Sequence, residues 1–221
     1  MNKYRLISPL LRLYVNPQIV AGLVYSGVVW KSSVQKVLVT IDDSPSPETT
    51  PAVLDLLEKH GIKAVFFITG ANAEKYPALL DMITAGGHQK GNHGYNHLKT
   101  SGMSCREFAE DFLRADEIIY GSKYSGLKLY RPPYGNTRRS HLKFTNESGY
   151  RNLMWSLLSL DYLNNIELSK FVIKKFLKSD SVTVFHDNKK SMACITELTE
   201  HLTSVINDKK FEYGTPSECL K

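Results

Sequence analysis

The sequence predicts an α/β fold in which parallel strands alternate with crossover helices. Three observations carry that expectation. From residue 36 onward, short apolar runs of strand length alternate with segments whose apolar residues recur at helical spacing. The chain has 221 residues, enough for one domain with a sizeable core and no covalent staples. Polar and ionisable residues gather just after the apolar runs, where open α/β sheets and (β/α) barrels both carry their sites. The pattern leaves barrel and open sheet both open.

Taken in order, residues 37–41 read as a buried strand. Residues 50–59 form a helix with Pro51 in its first turn and Gly61 as its stop. Residues 64–68 are the next strand, and residues 77–85 a helix ended by Gly86-Gly87. A short strand lies near residue 90. Residues 106–120 place apolar side chains at 108, 109, 112, 115, 118 and 119, a helical stripe. Strands follow at 128–130 and 152–155, a helix at 168–177, a strand at 181–185 and a long helix at 194–206. Residues 211–213 close the pattern as a terminal strand.

Composition narrows the function classes. Hydrophobic residues make up 42% and charged residues 23%, which excludes a disordered or collagen-like chain. The net charge is +6, but the basic residues are dispersed or paired, as at Arg138-Arg139 and Lys189-Lys190. No zinc-finger spacing, RNA-binding signature or basic-aromatic tract accompanies them, so nucleic acid is not the expected partner. Cys105, Cys194 and Cys219 are far apart and odd in number, against a disulfide framework. Buried or surface thiols in a reducing compartment are expected.

The N-terminus allows three readings. Lys3, Arg5 and Arg12 precede an apolar run from Ile19 to Trp30, a loose imitation of a signal peptide. The run contains Gly22, Tyr25, Ser26 and Gly27, and no small-x-small cleavage site precedes Lys31. A docked segment over residues 1–35, ahead of a catalytic domain over 36–221, is the preferred reading, and a cytoplasmic location goes with it. Interfacial membrane contact by residues 4–30 is the third.

Five polar clusters fall at strand ends: Asp42-Asp43, Asn92-His93 with His97, Arg131-Pro-Pro-Tyr134, Asp161-Tyr162 and His186-Asp187. Each alone has a plain structural explanation, as a helix cap, a rigid turn or a hydrogen-bonded histidine. Together they supply every role of a metal hydrolase. His93 and His97 are four residues apart, one helical turn, so that both rings can face one ion. A carboxylate completes a set of three protein ligands and leaves positions open for water and substrate. A second carboxylate can act as general base, a distant histidine as general acid, and an arginine can orient the base.

The ordered set Thr40-Ile-Asp-Asp-Ser44, His93-xxx-His97, Arg131-Pro-Pro-Tyr134, Trp155 to Tyr162 and His186-Asp187 resembles the polysaccharide deacetylases, the NodB homology domain of carbohydrate esterase family 4. The resemblance implies a distorted (β/α) barrel of about seven parallel strands. It implies hydrolysis of acetyl groups from sugars with a divalent ion, zinc first and cobalt, nickel or manganese as alternatives. Asp42 would be the general base, Asp43, His93 and His97 the metal ligands, and Arg131 the residue positioning Asp42. The Tyr134 backbone N–H would join the oxyanion site, His186 would be the general acid, and Asp161 would tune it. Tyr162 and Val184 are candidates for the acetyl pocket and Trp155 for a groove wall.

Departures from the family pattern are Ile41 and Ser44 in the first motif, Gln89 and Lys90 before the histidines, and Leu158 and Tyr162 in the fourth motif. All are expected to touch the groove or its supports. The sequence therefore implies a metal-dependent N-deacetylase of an N-acetylglucosamine-type sugar. The alternatives are an O-acetyl esterase, a deformylase of a lipid-linked sugar that would bring membrane contact, and a degenerate sugar-binding relative.

Overall fold

The structure is a computed structural model that describes residues 4, 8–23 and 25–221. Lys3, Arg5 and Val24 of the N-terminal run lie outside the described residues. Eight strands form one sheet: β1 (Val28–Val29), β2 (Leu38–Ser44), β3 (Val65–Ile68), β4 (Gln89–Asn92), β5 (Lys128–Tyr130), β6 (Tyr150–Leu153), β7 (Leu157–Leu158) and β8 (Val182–His186). Their order is β1-β6-β5-β4-β3-β2-β8-β7, and every pairing between them is parallel.

That order forces the sheet to curl. β6 and β7 sit near opposite ends of it, six strand spacings apart, or about 29 Å if the sheet were flat. Only residues 154–156 join them, a link that spans at most about 14 Å from Leu153 to Leu157. The ends therefore approach one another, and an isolated bridge between Lys31 and Ser181 ties them. The distorted barrel is confirmed, with eight strands rather than about seven.

β3 is apolar without alternation, and both it and β8 are almost wholly buried, because crossover helices cover a parallel sheet. Phe66, Phe67, Phe108, Phe112 and Phe185 are among the largest fully buried side chains. Several boundaries move. The helix expected from 106 starts at Cys105, where Ser104 and Glu107 form a reciprocal capping box. The last long helix runs Lys189–Asp208, five residues earlier than its apolar pattern shows, because Asn188 caps it through the Lys190 and Ser191 N–H groups. Residues 211–213 make only an isolated bridge, Val37 with Tyr213. Helices Gly70–Lys75 and Arg139–Glu147 had no readable stripe; the second buries only His141, Leu142 and Thr145, two of them polar.

Ahead of β1, helices Ser8–Val15 and Gln18–Ala21 lie against the carboxyl ends of the strands. Val15 is fully buried, the Tyr14 hydroxyl meets that of Tyr162 at 2.9 Å, and the Tyr25 hydroxyl donates to the Thr137 carbonyl at 3.3 Å.

Candidate active site

The site grows from the end of β2. In a regular strand Asp42 and Asp43 would point to opposite faces. Here the register against β3 shifts between Ile41 and Ser44, and Asp43 takes a left-handed φ of 72°. The bulge turns both carboxylates toward one cavity of about 640 Å³. His97 (φ 53°), Tyr134 (φ 59°) and Leu160 (φ 64°) share this conformation. Each costs on the order of 1–3 kcal/mol, and such strain collects at functional sites.

The cavity is lined by every expected site residue except Arg131 and Asp161, which lie fully buried behind it. Asp43 Oδ1 is 3.0 Å from His97 Nε2 and 3.8 Å from His93 Nε2. The helical-turn argument for the two histidines is corrected. Residues 93–97 are a loop after β4, turned by Gly94 (φ 78°), and the loop brings the ring centroids to 5.1 Å. Asp111 holds it by accepting from the Tyr95 and Asn96 N–H groups at 2.8 and 3.1 Å.

These three residues suit a divalent cation. Ligand atoms on a tetrahedral ion with bonds of 2.0–2.1 Å are about 3.3 Å apart, and the observed 3.0 and 3.8 Å bracket that value. His93 Nδ1 meets the Arg131 carbonyl at 2.7 Å, which assigns the proton there and leaves Nε2 free to ligate. Burial pushes His93 down to about 4, against the opposing pull of Asp42 and Asp43, so it stays neutral at neutral pH. Burial resists ionisation of Asp43, but the His97 hydrogen bond and the His186 charge outweigh it and hold the carboxyl well below its usual range. One carboxylate and two imidazoles are donors shared by zinc, cobalt and nickel.

Two pairs flank this cluster. Arg131 donates from Nη1 to Asp42 Oδ1 at 2.6 Å and to Thr40 Oγ1 at 2.7 Å. Its Nε and Nη2 donate to the Leu153 and Met154 carbonyls, and its guanidinium stacks 4.0 Å from the Phe67 ring centroid. Each nitrogen of the buried cation thus donates at least one hydrogen bond. On the other side, His186 Nδ1 meets Asp161 Oδ1 at 2.8 Å, and the His186 backbone N–H donates to Oδ2 at 2.7 Å. Ser159 Oγ donates to the same carboxylate. Burial acts against the charge of His186, but the Asp161 charge and hydrogen bond, helped by Asp42 and Asp43, push it up to about 9. Arg131 and Asp161 do not line the cavity and reach it only through Asp42 and His186.

Tyr162, Val184 and Trp155 all face the cavity, with the Tyr162 ring edge-on to His186 at 5.2 Å. Of the departures, Leu158 also lines it. Ser44 donates to buried Asp187 at 2.8 Å, and Thr49 donates to the same carboxylate, so the serine binds β2 to β8. Gln89 and Lys90 do not touch the groove. They face the helix Cys105–Tyr120 and the loop after it, bonding Tyr124, Leu127 and Ile119. Asn188 was not anticipated: it donates to Asp43 Oδ2 at 2.8 Å while capping its helix. Its place two residues after His186 was the only signal in the sequence.

The polysaccharide deacetylase family model matches residues 31–153, more than half of the chain. The chain belongs to the polysaccharide deacetylase family. A peptidoglycan-N-acetylglucosamine deacetylase of Bacillus cereus is 35% identical over 127 residues, covering 58% of this chain and 46% of the relative. The chain thus spans less than half the length of that relative. A second deacetylase of the same name and organism is 29% identical over 188 residues, 84% of this chain and 88% of its own. A solved peptidoglycan N-acetylglucosamine deacetylase superposes with a TM-score of 0.81 at 24% identity, covering 90% of this chain and 95% of that one, and shares the fold. The family match ends at Leu153, so Asp161 and His186 rest on the geometry given above.

Proposed function

We propose that this polysaccharide deacetylase hydrolyses the N-acetyl group of an N-acetylglucosamine-type sugar in a glycan, with zinc as its ion. The peptidoglycan-N-acetylglucosamine deacetylases among its relatives support the sugar. The observation that carries the reading is the pairing of two opposite proton-handling groups across one cavity: Asp42 held by Arg131, and His186 held by Asp161.

A divalent ion on Asp43, His93 and His97 would supply Lewis-acid polarisation and an acidified water when bound. The chain does the rest. Asp42 accepts a proton from the attacking water as the new C–O bond forms. Asn188 fixes Asp43 so that it ligates and does not compete for that proton. The Tyr134 backbone, at the cavity mouth, supplies an N–H to the developing oxyanion. His186, charged at neutral pH, gives its proton to the sugar nitrogen as the C–N bond breaks. Acetate and a free amine result. Leu158, Tyr162 and Val184 provide an apolar wall against which the acetyl methyl can lie.

The test is acetate release from N-acetyl-chitooligosaccharides before chelation, after EDTA, and after zinc return. Loss on chelation and recovery with zinc are expected. Metal-loaded protein that releases acetate from an aryl ester but not from the sugar amide would overturn the N-deacetylase reading.

A further inference from the structure

Six of the eleven exposed large hydrophobic side chains among the described residues fall between positions 10 and 23: Leu10, Leu13, Tyr14, Ile19, Val20 and Leu23. Leu10 is 74%, Val20 57% and Leu23 89% exposed. Isolated exposed apolar residues need no explanation, but a group this dense does. The segment is not loose chain. Buried Val15 and the Tyr14–Tyr162 hydrogen bond seat it on the barrel, and Leu13, Tyr14, Pro17, Ala21 and Tyr25 line the active-site cavity from the inside. Leu13 and Tyr14 thus belong to the cavity wall, while Leu10, Ile19, Val20 and Leu23 of the same segment line no part of it and are bare.

Charge selects the occupant. Residues 1–30 contain no aspartate or glutamate, while Lys3, Arg5 and Arg12 are basic. A second copy of the chain would bring two cationic segments together. An anionic bilayer complements the charge and accepts the apolar side chains at its headgroup boundary. We infer that residues 8–23 are an interfacial docking element that seats the protein on an anionic membrane with the cavity mouth at the lipid surface. The deacetylase then works on glycan held at that surface, within about one helix diameter, ~10 Å, of the headgroups. Only this last consequence rests on the deacetylase reading.

The experiment is co-sedimentation of the full chain with vesicles of mixed phosphatidylglycerol and phosphatidylcholine, and with phosphatidylcholine alone. Binding to the mixed vesicles is expected, weakened by salt because part of it is charge attraction. The triple variant Leu10→Gln/Val20→Gln/Leu23→Gln, which replaces no cavity-lining residue, should lose at least about tenfold in partitioning, as expected for apolar burial withdrawn from an interface. It should keep native turnover of soluble chitooligosaccharide, which shows that the fold is intact. The control Met82→Gln/Leu113→Gln removes exposed apolar side chains elsewhere and should bind like the native chain. Native protein that stays in the supernatant, or a triple variant that binds undiminished, overturns the inference. A dimer that dissociates in the triple variant, without vesicle binding, overturns it in favour of a second copy. Because vesicle binding is read without turnover, its failure and that of the deacetylase reading are separate results.

Discussion

The two ion pairs beside the Asp43, His93 and His97 cluster are built in opposite senses. In one, Arg131 is the fully buried anchor and Asp42 faces the cavity. In the other, Asp161 is the fully buried anchor and His186 faces the cavity. Both pairs join a carboxylate to a cation at hydrogen-bond distance, so pairing alone does not decide what each does. The partner locked inside decides. A buried guanidinium presents a carboxylate that can take a proton, and a buried carboxylate presents an imidazolium that can give one.

The comparison breaks most completely at Asp42. Asp42→Asn keeps shape and removes proton acceptance, so turnover should fall by about 10²–10⁴ with bound metal unchanged. His97→Ala in the same assay should lose the metal as well. Native turnover in Asp42→Asn would show that the base lies elsewhere.

At the other pair the effect is one of pH. His186 is held up to about 9, so the kcat profile should fall on its alkaline side near that value. Asp161→Asn removes the largest support of that charge, and the limb should move to lower pH by at least about one unit. A limb that stays put would remove Asp161 from this role. The sign carries into stability. The folded-state value lies above the ordinary 6.5, so this pair's contribution is fully present below 6.5 and lost as pH rises through about 9. Denaturant unfolding across that window should show the loss in the native protein and less of it in Asp161→Asn.

The smallest expected effect sharpens the comparison with a third buried carboxylate. Asp187 is held by neutral hydroxyls rather than by a cation, and burial, its largest influence, raises its carboxyl above the usual range against their pull. Through Ser44 it joins β2 to β8. Ser44→Gly should cost about 1 kcal/mol in unfolding free energy, the worth of one hydrogen bond, and leave the kcat profile in place. A shifted profile would make Asp187 part of the proton machinery.

The residues of the site were legible because each chemical role needs a particular side chain and most follow a short run that marks a strand end; His93 follows the polar strand Gln89–Asn92 and is read from its spacing to His97 and from the family motif. Asp42, Asp43, His93, His97, Arg131 and His186 are all legible in the sequence on these grounds. The alternation of strands and helices was legible because burial on both faces of a parallel sheet leaves apolar runs such as Val65–Ile68. The helix Arg139–Glu147 was not, because its buried face is largely polar.

Other features belong to the tertiary structure alone. That His93 and His97 meet through a loop depends on Gly94, the left-handed His97 and the Asp111 clamp from a helix beyond. That Gln89 and Lys90 leave the groove untouched depends on the helix Cys105–Tyr120 and the loop after it coming within reach of their side chains. That the N-terminal helices wall the cavity depends on Tyr14 meeting Tyr162, 148 residues away along the chain. Residue types and their local spacing set what chemistry is available, because they act over a turn or a strand. Which groups face one another across the cavity is set by the curl of the sheet, and that curl exists only once all eight strands have paired.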